Sequence, residues 1–458
     1  MYDVIVIGGG SGGYAAAIRA SQLGGKVALV EHAVMGGTCV NTGCIPSKTW
    51  LRAARLLYLM RKGEEFGIKA AIEPVDFKTI VDRKNGVSGD IRMGMEALLQ
   101  NNGVQIIRGR GVLKGPREID VEGTAHEAKR IIIATGSSLT FPSVPGIDQA
   151  AITTDQVLEM TEAPSSILIC DSGYIEVEMA FLLNIFGCKV FLACESPRIL
   201  PREDHDTGQR IAQSLREKGV EVLTRHTLKS ISKAESGAGW ACELSGAKDC
   251  TVEVERVLVA TRKPTTADMG LENIGVQFNE DGGIRVNNRL ETSVEGIHAI
   301  GDATGGWMLS HASSSMAVTA AENCMGRPGV YPFHLIPRCL WSFPEVGSVG
   351  LSEAEAEKKG LEIETGGFPY AINGLAMVRG EVEGAVKIIS DVRYGEILGV
   401  HIVGAGATDL IGEAVLAMQL EATVNELAHS IRVHPTYSET MVDAARDAAG
   451  WALYLPKR

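Results

Sequence analysis

The chain has 458 residues, 45% of them apolar, which is more than one core can use and points to three or four domains. A net charge of −12 argues against nucleic acid as a partner, and no apolar run is long and charge-free enough to span a membrane. Nine cysteines, mostly scattered singly, fit a reducing compartment, and a first strand starting at residue 2 leaves no room for a signal or transit peptide, so a cytoplasmic location is expected.

Residues 3–7, Asp-Val-Ile-Val-Ile, read as a short buried parallel strand. Gly8-Gly9-Gly10-Ser11-Gly12-Gly13 follows, then a helical run, then a strand from Val27 that closes on Glu31. Strand, glycine turn, helix, strand and acid together make a dinucleotide-binding fingerprint. Gly8 serves the turn, Gly10 the close approach of a pyrophosphate, and Gly13 the helix–strand packing. Glu31 falls where a carboxylate can hold a ribose hydroxyl.

The next run, residues 36–48, is Gly-Gly-Thr-Cys-Val-Asn-Thr-Gly-Cys-Ile-Pro-Ser-Lys. Cys39 and Cys44 lie in a helix-start context, with glycines before them and Pro46 suited to a first turn. Free N–H groups there stabilise a thiolate, so the pair can open and close as a redox disulfide. The alternatives are a stapling disulfide or half of a metal site. No second Cys/His pair at ligand spacing accompanies it, so no metal site is expected.

A helical hairpin (47–62 and 76–101) and the strand Arg130–Ile133 come next. A second βαβ pattern starts at Ile167-Leu168-Ile169, continues as a helix through Phe186 and ends in Ala193-Cys194-Glu195. The last part alternates strands at 384–389 and 397–403 with a helix at 409–420. In the tail, His434 precedes Pro435, and Thr436-x-x-Glu439 reads as a capping box starting the last helix. Glu439 is then close enough to hold one ring nitrogen of His434, leaving the other to exchange protons. The same residues also read as a turn histidine and a plain cap. The dithiol upstream favours the acid–base reading.

With these motifs the chain resembles the FAD-dependent pyridine nucleotide–disulfide oxidoreductases over nearly its whole length. The dithiol run matches that family's Cys-x4-Cys motif, and Ala134-Thr135-Gly136 and His298-Ala299-Ile300-Gly301-Asp302 match its later FAD motifs. Gly-Gly-Tyr-Ala-Ala-Ala-Ile-Arg-Ala at 12–20 and Phe-Pro-Tyr-Ala-Ile-Asn-Gly at 368–374 resemble its dihydrolipoamide dehydrogenase subgroup. The resemblance implies two nested Rossmann-like α/β domains, of FAD and NAD(P) type, plus a C-terminal α+β dimerisation domain. The expected boundaries are 1–146 and 266–335 for the FAD domain, 147–265 for the NAD(P)-type domain and 336–458 for the interface domain. It implies that Cys39 exchanges with substrate and Cys44 lies against the flavin. Thr38, Lys48, Thr135, Gly136, Asp302 and His311 fall at FAD-side positions, although His311 reads equally as a structural helix-start residue. Tyr174 and Glu178 fall at nicotinamide-side positions. His434 would reach the active site of a second subunit, which implies a homodimer.

The pattern breaks in the second βαβ. Asp171-Ser172-Gly173-Tyr174-Ile175-Glu176 keeps only the middle glycine, Gly173. Asp171 and Glu176 are expected to repel a pyrophosphate, and Glu176 to obstruct helix–strand packing. The exit Ala260-Thr261-Arg262-Lys263-Pro264 lacks the family's glycine, and Glu195 looks one residue late for a ribose. NAD(H) use is therefore in doubt. The expected reaction is two-electron exchange between a dithiol, best a dihydrolipoyl group on a carrier protein, and FAD. The alternatives are an electron-transfer subunit with a protein redox partner and an ordinary NAD-linked dihydrolipoamide dehydrogenase. Glutathione reductase is disfavoured by Ala15-Ala16-Ala17-Ile18, where that subgroup places arginines, and mercuric reductase by the lack of a terminal cysteine pair.

Overall fold

The structure is a computed structural model and describes residues 1–235 and 237–456. Its chain divides into two compact units.

The first unit comprises residues 1–141, 153–162 and 260–332. Its centre is a parallel run of strands, Gln105–Arg108, Val27–Glu31, Tyr2–Ile7 and Thr124–Ile133, with Ile297–Ala299 also pairing on Thr124–Ile133. Such strands are covered on both faces, hence their unbroken apolar runs. Val4, Ile5, Val6 and Ile131–Ile133 are accordingly fully buried or nearly so. Helices Ser11–Gln22 and Ser310–Cys324 pack together, and Gly12 lets Ser313 approach: a Cβ there would stand 2.3 Å from the serine Oγ. The hairpin is present as Cys44–Lys62 and Phe77–Asn101. Its first helix starts three residues before the expected 47, because Pro46 is tolerated within a first turn, where no N–H is needed.

The second unit comprises residues 142–152, 163–259 and 333–456 of the described chain. Glu221–Thr224, Lys189–Cys194, Ser166–Cys170 and Arg256–Val259 form a second parallel run in that order, with helix Tyr174–Ile185 following Ser166–Cys170. An antiparallel sheet follows in the order Arg338–Leu340, Val346–Gly350, Ile397–Val403, Ala385–Asp391, Ile363–Pro369. Helices Ala407–Gln419 and Glu439–Ala448 share an apolar core with it. The architecture is mixed α/β. No helix among the described residues is long and apolar enough to cross a membrane.

Candidate active site

In the first unit the glycine turn is under tight steric control. Gly8 has φ +107°, and a Cβ on it would lie 2.3 Å from the carbonyl oxygen of Ala134. A Cβ on Gly13 would lie 1.7 Å from the carbonyl of Gly8. Strand, turn and helix therefore close on each other only with glycine at both positions. A Cβ on Gly10, at the helix N-terminus, would meet nothing nearer than Gly37 Cα, at an ordinary contact distance of 3.9 Å. Glu31 ends its strand buried, and its carboxylate accepts the N–H groups of Gly9 (2.6 Å) and Ala33 (2.7 Å).

The dithiol lies in the same unit. Cys39 sits in the short helix Gly37–Asn41 and Cys44 opens the helix Cys44–Lys62. Both are thiols here, hydrogen-bonded to one another. The Cys39 thiol is pulled down to about 6, chiefly by the hydrogen bond from Cys44, against the opposing effect of burial. Hydrogen bonds from Ser310 and Ser11 and the charge of Lys48 assist. Ser11 and Ser310, 299 positions apart, have their hydroxyl oxygens 2.6 Å from each other.

Thr38 and Asp302 join one network. Arg262 donates to Thr38 Oγ1 (3.1 Å) and to Ser137 Oγ (2.9 Å) and carbonyl (2.7 Å), and Ser137 Oγ donates to Asp302 Oδ2 (2.6 Å). Thr135 Oγ1 donates to the Thr265 carbonyl (2.7 Å), and Gly136 turns with φ +74°. His311 is exposed in the first turn of the helix Ser310–Cys324. Ser11, Ser137, Arg262 and Ser310 were not singled out by sequence as site residues. Arg262 lies in the exit run, where the missing glycine drew attention away from it.

In the second unit, the Nδ1 of His434 is 2.9 Å from Glu439 Oε1, and Glu439 Oε2 accepts the N–H of Thr436 at 2.8 Å. The expected capping box is only half present. The Thr436 hydroxyl donates to the Val433 carbonyl instead, and the helix begins at Glu439 after Ser438. His434 follows the exposed Ile431 and Val433 and is itself exposed over 76% of its side chain.

The second glycine turn repeats the first in backbone and not in side chains. Gly173 caps its helix at φ −74°, ψ −168°, against −73° and −173° for Gly10. Asp171 adopts φ +82°, a conformation that glycine takes without strain. Its side chain accepts the N–H of Ser172 at 2.6 Å and is exposed. Glu176 is buried without blocking the helix, which still starts at Tyr174. Its carboxylate bends back over Gly173, with Oε2 2.9 Å from where a Cβ on that glycine would stand. Burial, then the charge of Asp171, pushes the Glu176 carboxyl up to about 7, and backbone hydrogen bonds from Glu176 and Gly173 oppose the shift.

Glu195 is one residue late for a ribose, as its place in the sequence suggests. The Gly8 N–H bonds to the Val30 carbonyl and the Asp171 N–H to the Ala193 carbonyl, each at 2.8 Å. Cys194 thus occupies the position of Glu31, and Glu195 falls one residue beyond it, exposed. Tyr174 directs its hydroxyl onto the buried Glu203, which pairs with Arg338 (Nε–Oε1 2.7 Å). Glu178 is buried and accepts the N–H of Trp341 at 3.0 Å.

Residues 2–317 match the family described as pyridine nucleotide-disulphide oxidoreductase, and residues 336–445 match its dimerisation domain. The chain belongs to this family. A dihydrolipoyl dehydrogenase of Thermus scotoductus is 37% identical over 460 residues, covering 100% of this chain and 99% of the relative. One from Rhizobium etli is 38% identical over 483 residues, covering 99% of each. Among solved structures, a HOCl-induced flavoprotein disulfide reductase from Escherichia coli superposes with a TM-score of 0.84 at 28% identity, covering 96% of this chain and 99% of that one.

Membership in the pyridine nucleotide-disulphide oxidoreductases makes the chain an oxidoreductase with FAD as its cofactor. The first glycine turn fits that group: Gly10 leaves open the space a phosphate would approach, and Glu31 is a buried carboxylate at the strand end. The second turn does not fit a pyridine nucleotide. A carboxylate covers Gly173 and a thiol stands in the place of the ribose acid. Among the described residues no group of three or more His, Cys, Asp or Glu is arranged to hold a metal ion.

Proposed function

We propose that the protein oxidises a dithiol, a dihydrolipoyl group carried on a partner protein, through a Cys39–Cys44 disulfide. The observation that carries this reading is the pair itself: two thiols hydrogen-bonded to each other at helix starts, one of them acidified to about 6. The likeness to dihydrolipoyl dehydrogenases over the full chain supports the choice of substrate.

The exchange runs in two attacks. A substrate thiolate attacks the Cys39 sulfur, breaks the Cys39–Cys44 bond and releases Cys44 as a thiolate. The second substrate thiolate attacks the substrate sulfur of the mixed disulfide, closes the substrate disulfide and releases Cys39. Two electrons pass from substrate to the cysteine pair, and the two substrate protons go to base and solvent. A Cys39 thiolate stable near neutral pH is a good leaving group in the second attack. Bound FAD supplies a two-electron acceptor for the reduced pair. We assign His434 as the base, with Glu439 holding Nδ1 so that Nε2 moves the proton. In a homodimer His434 would serve the dithiol of the second copy. The exposed Ile431, Val433 and His434 support that assignment.

We assign Gly8, Gly10, Gly13, Glu31, Thr38, Lys48, Thr135, Gly136 and Asp302 to the FAD site. The test mixes oxidised holoprotein with dihydrolipoamide, without any nicotinamide, and counts lipoamide formed against protein thiols and reduced flavin gained. One lipoamide is expected per two-electron equivalent gained, counted as a new thiol pair or a reduced flavin, and none with Cys39→Ser or Cys44→Ser. Wild-type protein that gains neither thiols nor reduced flavin would refute the reading.

A further inference from the structure

The second glycine turn carries a carboxyl group of its own. Its backbone is that of the first turn: matching dihedral angles at Gly173 and Gly10, matching strand hydrogen bonds at Asp171 and Gly8, and a helix of 12 residues in each case. The two turns differ in what stands over the middle glycine. A Cβ on Gly10 would meet nothing nearer than Gly37 Cα at 3.9 Å, whereas a Cβ on Gly173 would meet a carboxylate oxygen of Glu176 at 2.9 Å. That carboxyl sits at the helix N-terminus, where the backbone of Gly173 and Glu176 favours its charged form. A helix N-terminus supplies the donors that a pyrophosphate needs in a turn of this kind.

We propose that the Glu176 carboxylate is a permanent occupant of the pyrophosphate seat, so that this unit refuses both NAD(H) and NADP(H). An entering cofactor would have to displace Glu176 from the helix N-terminus and then meet a second carboxylate at Asp171 nearby. Facing one such charge at about 5 Å lowers affinity on the order of a hundredfold. The ribose position supplies no acid in return. Cys194 stands where a ribose-binding acid would, with Ser172 buried against it. The Tyr174 hydroxyl is committed to Glu203. Together these changes close the phosphate seat and remove the ribose acid. The inference extends the proposed function by excluding one electron acceptor, and it stands independently of the identity of the dithiol.

The experiment is calorimetric titration of NADH, and separately of NADPH, into the FAD-loaded wild-type protein at about pH 8. An Asp171→Gly, Glu176→Gly variant is titrated in parallel. Wild type should show no saturable binding up to ~1 mM, and the variant should bind at least about tenfold tighter. The variant is first shown to keep its FAD content and melting temperature. If it does not, Glu176→Ala, which keeps a strong helix former in place, is read instead. Micromolar binding of either nucleotide to wild type would overturn the proposal, as would a folded variant that binds no better than wild type. Loss of dithiol exchange in the previous test would leave these binding results unchanged, so the two failures are distinguishable.

Discussion

The Nδ1 of His434 lies 2.9 Å from Glu439 Oε1, and the other oxygen of the same carboxylate accepts the Thr436 N–H at 2.8 Å. The carboxylate is therefore fixed at both oxygens and holds the ring by its Nδ1. His434→Ala should slow dithiol oxidation by roughly a hundredfold or more, the usual scale for a positioned acid–base. Glu439→Gln should slow it less, because an amide can still orient the ring. Single-turnover rates against pH check both, with FAD content expected to stay normal. Equal rates for wild type and His434→Ala would return the histidine to a structural role.

Cys39 should alkylate as a thiolate in the reduced protein. Thiolate fraction rises with pH, so reaction with iodoacetamide should climb through about pH 6 and level off above it. Cys44→Ser should change the profile, since the Cys44 hydrogen bond is the largest cause of the shift. A Ser11→Ala, Ser310→Ala variant should move the midpoint up by a smaller amount. A wild-type midpoint at the ordinary thiol value would contradict the assignment.

Glu176 makes stability fall as pH rises. Its carboxyl is raised from 4.5 to about 7 by burial and then by Asp171. Between those values the folded protein holds a proton that the unfolded chain has lost, so the slope of stability with pH is negative there. Below 4.5 the penalty is absent, and above about 7 it is complete. Each pKa unit corresponds to about 1.4 kcal/mol, so the full effect is a few kcal/mol at most. The melting temperature of Glu176→Gln should exceed that of wild type increasingly from pH 5 to pH 7 and by a constant margin above. A margin that does not vary with pH would show that Glu176 does not titrate in that window.

Arg262 should matter for FAD retention. It spans Thr38 and Ser137, and Ser137 holds Asp302. Arg262→Ala removes three hydrogen bonds worth about 1 kcal/mol each before relaxation. FAD dissociation, followed by recovery of free-flavin fluorescence, should accelerate at least about tenfold. Gly8→Ala should yield little or no FAD-loaded protein, because its Cβ would meet the Ala134 carbonyl at 2.3 Å. An Arg262→Ala protein with wild-type flavin release would remove the network from the cofactor site.

Several features were legible in sequence because they are local. A glycine turn between strand and helix is written within six residues, and its steric demand at Gly8 and Gly13 follows from the backbone alone. The dithiol at two helix starts and the His434–Glu439 pair are likewise set by short spacings, and family resemblance supplied the domain plan. Short spacing was a weaker guide to side chains. Thr436 was read as a reciprocal cap, and its hydroxyl turns to Val433 instead.

Only the tertiary structure decided where side chains separated by long stretches of chain meet. Ser11 and Ser310 come together beside Cys39 because two helices pack across 299 positions, and Arg262 reaches Thr38 across 224. The sequence showed that Asp171 and Glu176 replace glycines, but both were expected to face a phosphate. The fold separates them. Asp171 turns outward to the Ser172 N–H, while Glu176 bends inward over Gly173. The strand register, fixed by pairing between residues 170 and 193, puts Cys194 at the ribose position and Glu195 one residue beyond, as its sequence position suggests. Backbone turns are encoded by neighbours in sequence, whereas the direction and charge of a buried side chain depend on the neighbours that packing supplies.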